Sequence, residues 1–187
     1  YFPCNTCPPG VLADIVVNML NVVSFSWEAS PAATELEIMV MDQLARALGL
    51  PDTFQSTGEG GGVIQTSASE TTLIGMLAAR TKTLKHLRRS SPGSTDQELF
   101  AKMTFYTSDQ AHSSILKTAN IVGLGANLRV IPASRVDAYA MDVEALEAAM
   151  REDRANGLVP TFVAANVGST NSCAIDSVRA MAEVSKR

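Results

Sequence analysis

Two kinds of hydrophobic pattern divide this chain. Up to about residue 90 the apolar positions recur at helical spacing, and beyond residue 100 short apolar runs alternate with helical stretches. Val11 to about Val23 predicts a first helix. Ser30-Pro31 predicts the start of a second, because proline is pre-organised for the first helical position. Leu36, Met39, Val40, Leu44, Ala47 and Leu48 form its stripe, and Gly49 closes it ahead of Pro51. Phe25 and Trp27, between the two helices, are expected in a core on the usual burial of aromatic residues. Leu73, Leu77, Leu84 and Leu87 mark a third, long helix. Ser67 and Glu70 have the S-x-x-E spacing of a capping box and set its start, with Ala68, Ser69 and Glu70 as the first turn. A polar loop, Ser90 to Asp96, leads to a helical turn over Gln97 to Lys102.

Strands are predicted at Met103 to Thr107, Leu128 to Ile131 and Thr161 to Val167. Asp142 is expected to cap a helix with Leu146, Ala149 and Met150 inward, ended by Asn156-Gly157, and Asp176 to cap a last one. Strand alternating with helix argues for an α/β domain with a parallel sheet. In such sheets ligands sit beyond the carboxyl ends of the strands. Three polar clusters fall at transitions into helices or out of strands, around Ser69, His112 and Thr170.

The first cluster follows the glycine-rich run Gly58-Glu59-Gly60-Gly61-Gly62. The first-turn N–H groups of a helix have no intrahelical partner and the dipole is positive there, so an anion, and phosphate above all, suits the place. Small side chains at Ala68 and Ser69 let it approach, and the glycines are expected to supply unusual backbone conformations. A flexible loop followed by an ordinary capped helix has the same local pattern. In the second cluster, Ser108-Asp109-Gln110-Ala111-His112-Ser113-Ser114, Asp109 and Ser113 read as turn and cap residues. His112 can stack on a flat cofactor or shuttle a proton, or serve as a satisfied loop histidine. No G-x-S-x-G accompanies it, and the other histidine, His86, stands among Lys82, Lys85, Arg88 and Arg89 on a solvated face.

Composition narrows the classes. The 187 residues are 46% hydrophobic and 18% charged, enough for a sizeable core, and the net charge of −4 argues against a nucleic-acid surface. Val11 to Phe25 is interrupted by Asp14, Asn18 and Asn21, which argues against a membrane span. Three cysteines are too few for a disulfide framework and favour a cytoplasmic location. Cys4-x-x-Cys7 lacks the second ligand pair of a zinc site, so no metal is expected.

Four stretches, with these clusters in hand, resemble the group II pyridoxal-phosphate-dependent amino-acid decarboxylases, nearest to the aromatic-L-amino-acid decarboxylases. They are Tyr1-Phe2-Pro3, Phe25-Ser26-Trp27 through Glu37, Gly58 to Glu70, and Ser108 to Ser114, with Gly168-Ser169-Thr170 at the expected place. The resemblance implies a fold-type-I α/β transferase-like large domain with a mostly parallel sheet, truncated here and preceded by an N-terminal helical segment. Residues 1–50 would be the helical dimerisation segment and 51–187 the first half of the cofactor domain. It implies pyridoxal 5'-phosphate as cofactor, with Ala68 and Ser69 on its phosphate, His112 stacked on its ring and catalytic, and Thr170 close by. It implies a homodimer acting on a small-molecule amino acid, with Val23 and Phe25 lining the aromatic pocket. Cys4 stands at a substrate-side position where the family usually has threonine. The lysine that carries the cofactor and the aspartate on its ring nitrogen are expected beyond Arg187, so the chain reads as an inactive fragment of a decarboxylase. An aldehyde synthase on the same cofactor, and a non-catalytic truncated product or pseudoenzyme, are the competing readings.

Overall fold

The structure is a computed structural model that describes residues 6–187. The chain divides into two compact units, one ending at Thr66 and one running from Ser67 to Arg187.

In the first unit, Pro8 and Pro9 start helix α1 (Pro8–Leu20), three residues earlier than the apolar pattern predicts. Asn21 ends it in the left-handed conformation, with φ of 47°, and leaves Val22 and Val23 outside the helix. Helix α2 (Pro31–Ala47) begins where expected, and the Ser30 hydroxyl accepts from the Ala33 N–H at 3.4 Å. The segment after α2 folds back on it through carboxylates. Asp42 accepts from the Ser56 hydroxyl at 2.6 Å and from its N–H at 2.8 Å, and these bonds hold its carboxyl below the usual range. Glu37 accepts from the Ile64 N–H at 2.6 Å. The glycines of this segment are not in left-handed conformations, contrary to the expectation. At Gly60 close packing is the requirement instead: a Cβ there would overlap the Thr53 carbonyl. Phe25 is 84% exposed and Trp27 50% exposed, so neither is in a core. The physical reason is that Ala45 is the only buried apolar residue on either helix, so the unit has almost no interior to receive them.

The second unit is a three-layer α/β arrangement. Its elements are α3 (Ala68–Ser90), α4 (Asp96–Phe100), β1 (Met103–Ser108), α5 (Ser114–Ile121), β2 (Leu128–Ile131), α6 (Val143–Ala155), β3 (Val159–Ala164) and α7 (Val178–Lys186). The sheet order is β2-β1-β3, all parallel, with Phe105 level with Leu128 and Phe162. All six residues of β1 are buried, as a central parallel strand requires. Alternate residues serve opposite faces. Met103 and Phe105 pack with Met76, Leu87 and Leu99 under α3 to α5, while Tyr106 packs with Met141, Leu146, Met150, Met181 and Val184 under α6 and α7. Phe105 meets Phe162 edge-on, with ring centroids 5.8 Å apart.

A buried polar network ties β1, β2 and α6 together. The Tyr106 hydroxyl donates to Asp153 at 2.6 Å and lies 2.8 Å from the Thr104 hydroxyl. Arg129 donates to the other Asp153 oxygen at 3.0 and 3.2 Å. Burial, and then the bond to Asp153, pushes the Tyr106 phenol well above its ordinary pKa.

Two strand-region expectations are corrected. The third strand is Val159–Ala164, not Thr161 to Val167, because the Asn166 N–H leaves the ladder for the Asp176 carboxylate at 2.7 Å. Asp176 is therefore not a helix cap. It is 2% exposed and also accepts from the Met141 N–H at 2.7 Å, while Ser177 holds the cap position of α7.

Candidate functional site

The direction of α3 places its first turn. Its last turns contribute Leu84 and Leu87 to the cluster that holds Leu99 and Met103, beside the start of β1. Arg80, near its middle, donates to the Val122 carbonyl at 2.8 Å and lies over the Phe100 ring at 4.9 Å. Gly75 lies against Phe162. The helix thus runs antiparallel to the strands, with its first turn toward their carboxyl ends. Ser69 lies about 9 Å up the axis from Gly75. Ala164 lies about 7 Å up the strand from Phe162. The first turn of α3 and the end of β3 therefore reach the same level.

Ser67 caps α3, and its hydroxyl accepts from the Glu70 N–H at 3.3 Å. The N–H groups of Ala68 and Ser69 have no intrahelical partner, and both residues are exposed. A 23-residue helix thus presents its positive end at the carboxyl edge of the sheet.

His112 lies in the loop from β1 to α5. The loop leaves the strand through the Asp109 N–H bond to the Ile131 carbonyl at 3.0 Å and the Gln110 N–H bond to the Ser108 hydroxyl at 3.0 Å. Asp109 is a turn residue, as expected, but Ser113 makes no capping bond. The imidazole takes that role: Nδ1 accepts from the Ser114 N–H at 3.1 Å and lies 2.9 Å from the Ser114 hydroxyl. With Nδ1 as acceptor, the neutral ring carries its proton on Nε2. The ring is exposed, so this N–H is available to a ligand.

Thr170 sits in the loop after β3, exposed at a tight turn. Gly168 there has φ of 79°, a conformation glycine adopts without strain. The turn is closed by the Cys173 N–H bond to the Ser169 carbonyl at 2.8 Å and by the Ser169 and Ser172 hydroxyls 2.7 Å apart. Its base is the Val167–Ile175 bridge and the Asp176 carboxylate. Ala68, Ser69, His112 and Thr170 therefore occupy three segments at one edge of one sheet. Val23 and Phe25 lie in the first unit, both exposed, and Cys4 lies outside the described residues.

Sequence reasoning missed two groups at this edge. The Thr107 hydroxyl, near the end of β1, and the Asn166 side-chain nitrogen, just past β3, are buried with no hydrogen-bond partner. An unmet buried polar group costs about 1–3 kcal/mol. Together with the first turn of α3, these donors fit an oxyanion such as a phosphate monoester.

The sequence pattern of the pyridoxal-dependent decarboxylase conserved domain matches residues 1–187. The aromatic-L-amino-acid decarboxylase of Sus scrofa is 46% identical over 180 residues, which is 95% of this chain and 36% of that protein. The crystal structure of the Oryza sativa TDC with PLP and tryptamine superposes with a TM-score of 0.86 at 39% identity, over 100% of this chain and 38% of that one. The Rhodiola rosea 4-hydroxyphenylacetaldehyde synthase superposes with a TM-score of 0.85 at 33% identity, again over 100% and 38%. The chain thus spans little more than a third of the length of these relatives.

Proposed function

We propose that this chain, which belongs to the pyridoxal-dependent decarboxylase family, forms part of an enzyme that converts an aromatic L-amino acid to its amine and carbon dioxide. The observation that carries the reading is the convergence of the α3 first turn, His112 and Thr170 at the carboxyl edge of the sheet. Similarity to an aromatic-L-amino-acid decarboxylase and to a structure holding tryptamine supports the aromatic substrate.

The geometry supports the following roles. The Ala68 and Ser69 N–H groups and the Ser69 hydroxyl hold the phosphate of pyridoxal phosphate. His112 offers a flat face for the ring and an Nε2–H that can deliver a proton to the reacting carbon. Thr170 is proposed to supply a hydroxyl from the loop after β3. Val23, Phe25 and Cys4 are proposed for the substrate side. When bound, the cofactor supplies the electron sink for loss of the carboxylate, and the protein contributes orientation and electrostatics. The five lysines, Lys82, Lys85, Lys102, Lys117 and Lys186, lie outside the three site segments. The 187 residues alone are therefore proposed to be inactive, with the cofactor-bearing lysine supplied by the longer protein. The exposed apolar residues of α1 and α2, among them Ile15, Met19 and Leu36, support a homodimer. Cys7 and Cys173 are free thiols, in keeping with a cytoplasmic enzyme.

The similarity to an aldehyde synthase motivates a second reading, release of aldehyde and peroxide, and the products separate the two. Full-length protein with pyridoxal phosphate and L-tryptophan or L-tyrosine is expected to release amine and carbon dioxide in equal amounts without peroxide. His112→Ala is expected to lower that rate by roughly 10²–10⁴-fold. His112→Asn is expected to divert turnover toward aldehyde. Wild-type amine output from both variants would remove His112 from the mechanism.

A further inference from the structure

Thr107 and Asn166 stand out from the other buried polar side chains among the described residues, because each has a buried side-chain atom that makes no hydrogen bond. Thr107 is 4% exposed, so water has little access to its hydroxyl. Thr107 lies in β1 level with Ala164 of the neighbouring β3, and Asn166 follows two residues later, just past the end of β3. Alternation puts Thr107 on the same face as Met103 and Phe105, the face that α3 and α5 cover. Phe162 packs into that same cluster, so Ala164 continues its side of β3, and Asn166 follows where the chain leaves the ladder. This is also the face over which the first turn of α3 arrives. Asn166 is held there by a separate device, since its N–H is taken by Asp176 and its carbonyl accepts from the Asp176 N–H at 2.9 Å. The backbone is fixed while the side-chain nitrogen is left without a partner.

A buried polar group without a partner is a rare arrangement in a folded chain. Two of them, one near the end of β1 and one just past the end of β3, at the level the first turn of α3 reaches, are explained together by a polar occupant. We propose that Thr107 and Asn166 are further ligand-contacting residues of this site, whose side chains donate to the phosphate monoester received by the first turn of α3. The inference rests on the phosphate reading of Ala68 and Ser69 and adds two donors from the floor of the site.

The test uses full-length protein, with pyridoxal phosphate affinity read by fluorescence titration and apo stability by thermal melting. Pyridoxal, which lacks the phosphate, is the control ligand. Ser69→Ala tests the underlying reading: unchanged pyridoxal phosphate affinity there refutes the phosphate site itself. With Ser69→Ala impaired, Thr107→Val and Asn166→Asp decide the present inference. Each is expected to weaken pyridoxal phosphate by about tenfold or more while leaving pyridoxal within twofold, as loss of a hydrogen bond to a charged group requires. Apo Thr107→Val is expected to melt at or above the wild-type temperature, because it removes a hydroxyl the fold does not satisfy. Unchanged phosphate-ligand affinity in both variants would overturn the inference. So would a lowered apo melting temperature of Thr107→Val, which assigns its hydroxyl to the fold, or an equal loss of pyridoxal, which assigns both groups to the ring.

Discussion

Asp176→Ala is the substitution whose consequences the fold specifies most fully. The Asp176 carboxylate is buried and accepts two backbone N–H bonds of 2.7 Å, from Met141 and Asn166. Those amides belong to the segment ahead of α6 and the segment leaving β3, so one side chain joins two connections. A hydrogen bond to a charged group contributes about 1.5–3 kcal/mol, and removing the acceptor leaves both amides buried and unmet. The two contributions share one carboxylate and do not add fully, which gives an expected loss of about 3 kcal/mol. At about 1.4 kcal/mol per factor of ten, local opening becomes roughly a hundredfold more frequent. Amide hydrogen exchange of full-length protein, followed in peptides containing Met141 and Asn166, reads this directly. Both peptides are expected to exchange about a hundredfold faster, while the β1 peptide retains its protection. Asp176→Asn is expected to fall between, since its amide keeps one acceptor and turns a donor toward the other N–H. Unchanged exchange at Met141 and Asn166 in Asp176→Ala would show that the carboxylate does not hold these two connections.

The other expectations are briefer. The raised Tyr106 phenol keeps its proton in the folded state above pH about 10, where an unfolded tyrosine releases it. Its contribution is therefore complete below that pH and is lost as the pH rises further, so Tyr106→Phe is expected to flatten the alkaline fall in urea-unfolding midpoint. Thr95→Ala breaks the capping box in which Thr95 and Glu98 each accept the other's N–H, and is expected to cost about 1 kcal/mol by the same unfolding measurement. Ser69→Ala is expected to weaken pyridoxal phosphate at least tenfold by fluorescence titration, for the loss of about 1.5–3 kcal/mol. Light scattering at micromolar concentration is expected to give the mass of a homodimer for the full-length protein, and a monomer would contradict the role proposed for α1 and α2.

Legibility followed the range of the interaction that decides each feature. Ser67 and Asp142 cap helices as read, and α2 starts at Ser30-Pro31 as read, because a helix start is settled within three residues. Leu128–Ile131 is a strand at the bounds expected, and the stripe of α3 faces the core. Asp176 misled because its local pattern is that of a cap, while its partners include Met141, 35 residues away. Ser113 misled because the neighbouring imidazole satisfies the same helix end. The start of β3 was hidden by Pro160, which suits an edge strand where its missing N–H is not needed. Phe25 and Trp27 were expected inside on the character of their side chains, but burial depends on what lies over them. For the site, the α3 turn and the His112 loop were visible as motifs. Thr107 and Asn166 carry no motif, and only the pairing of β1 with β3 brings them to one edge.

The carboxyl edge of this sheet is proposed to bind pyridoxal phosphate with its phosphate on α3 and its ring against His112. The most direct measurement is a crystal structure of the full-length protein grown with pyridoxal phosphate. Phosphate oxygens are expected within hydrogen-bond distance of the Ala68 and Ser69 N–H groups, with the pyridine ring stacked on the His112 imidazole. A phosphate seated away from the first turn of α3, or a ring that does not meet His112, would contradict it.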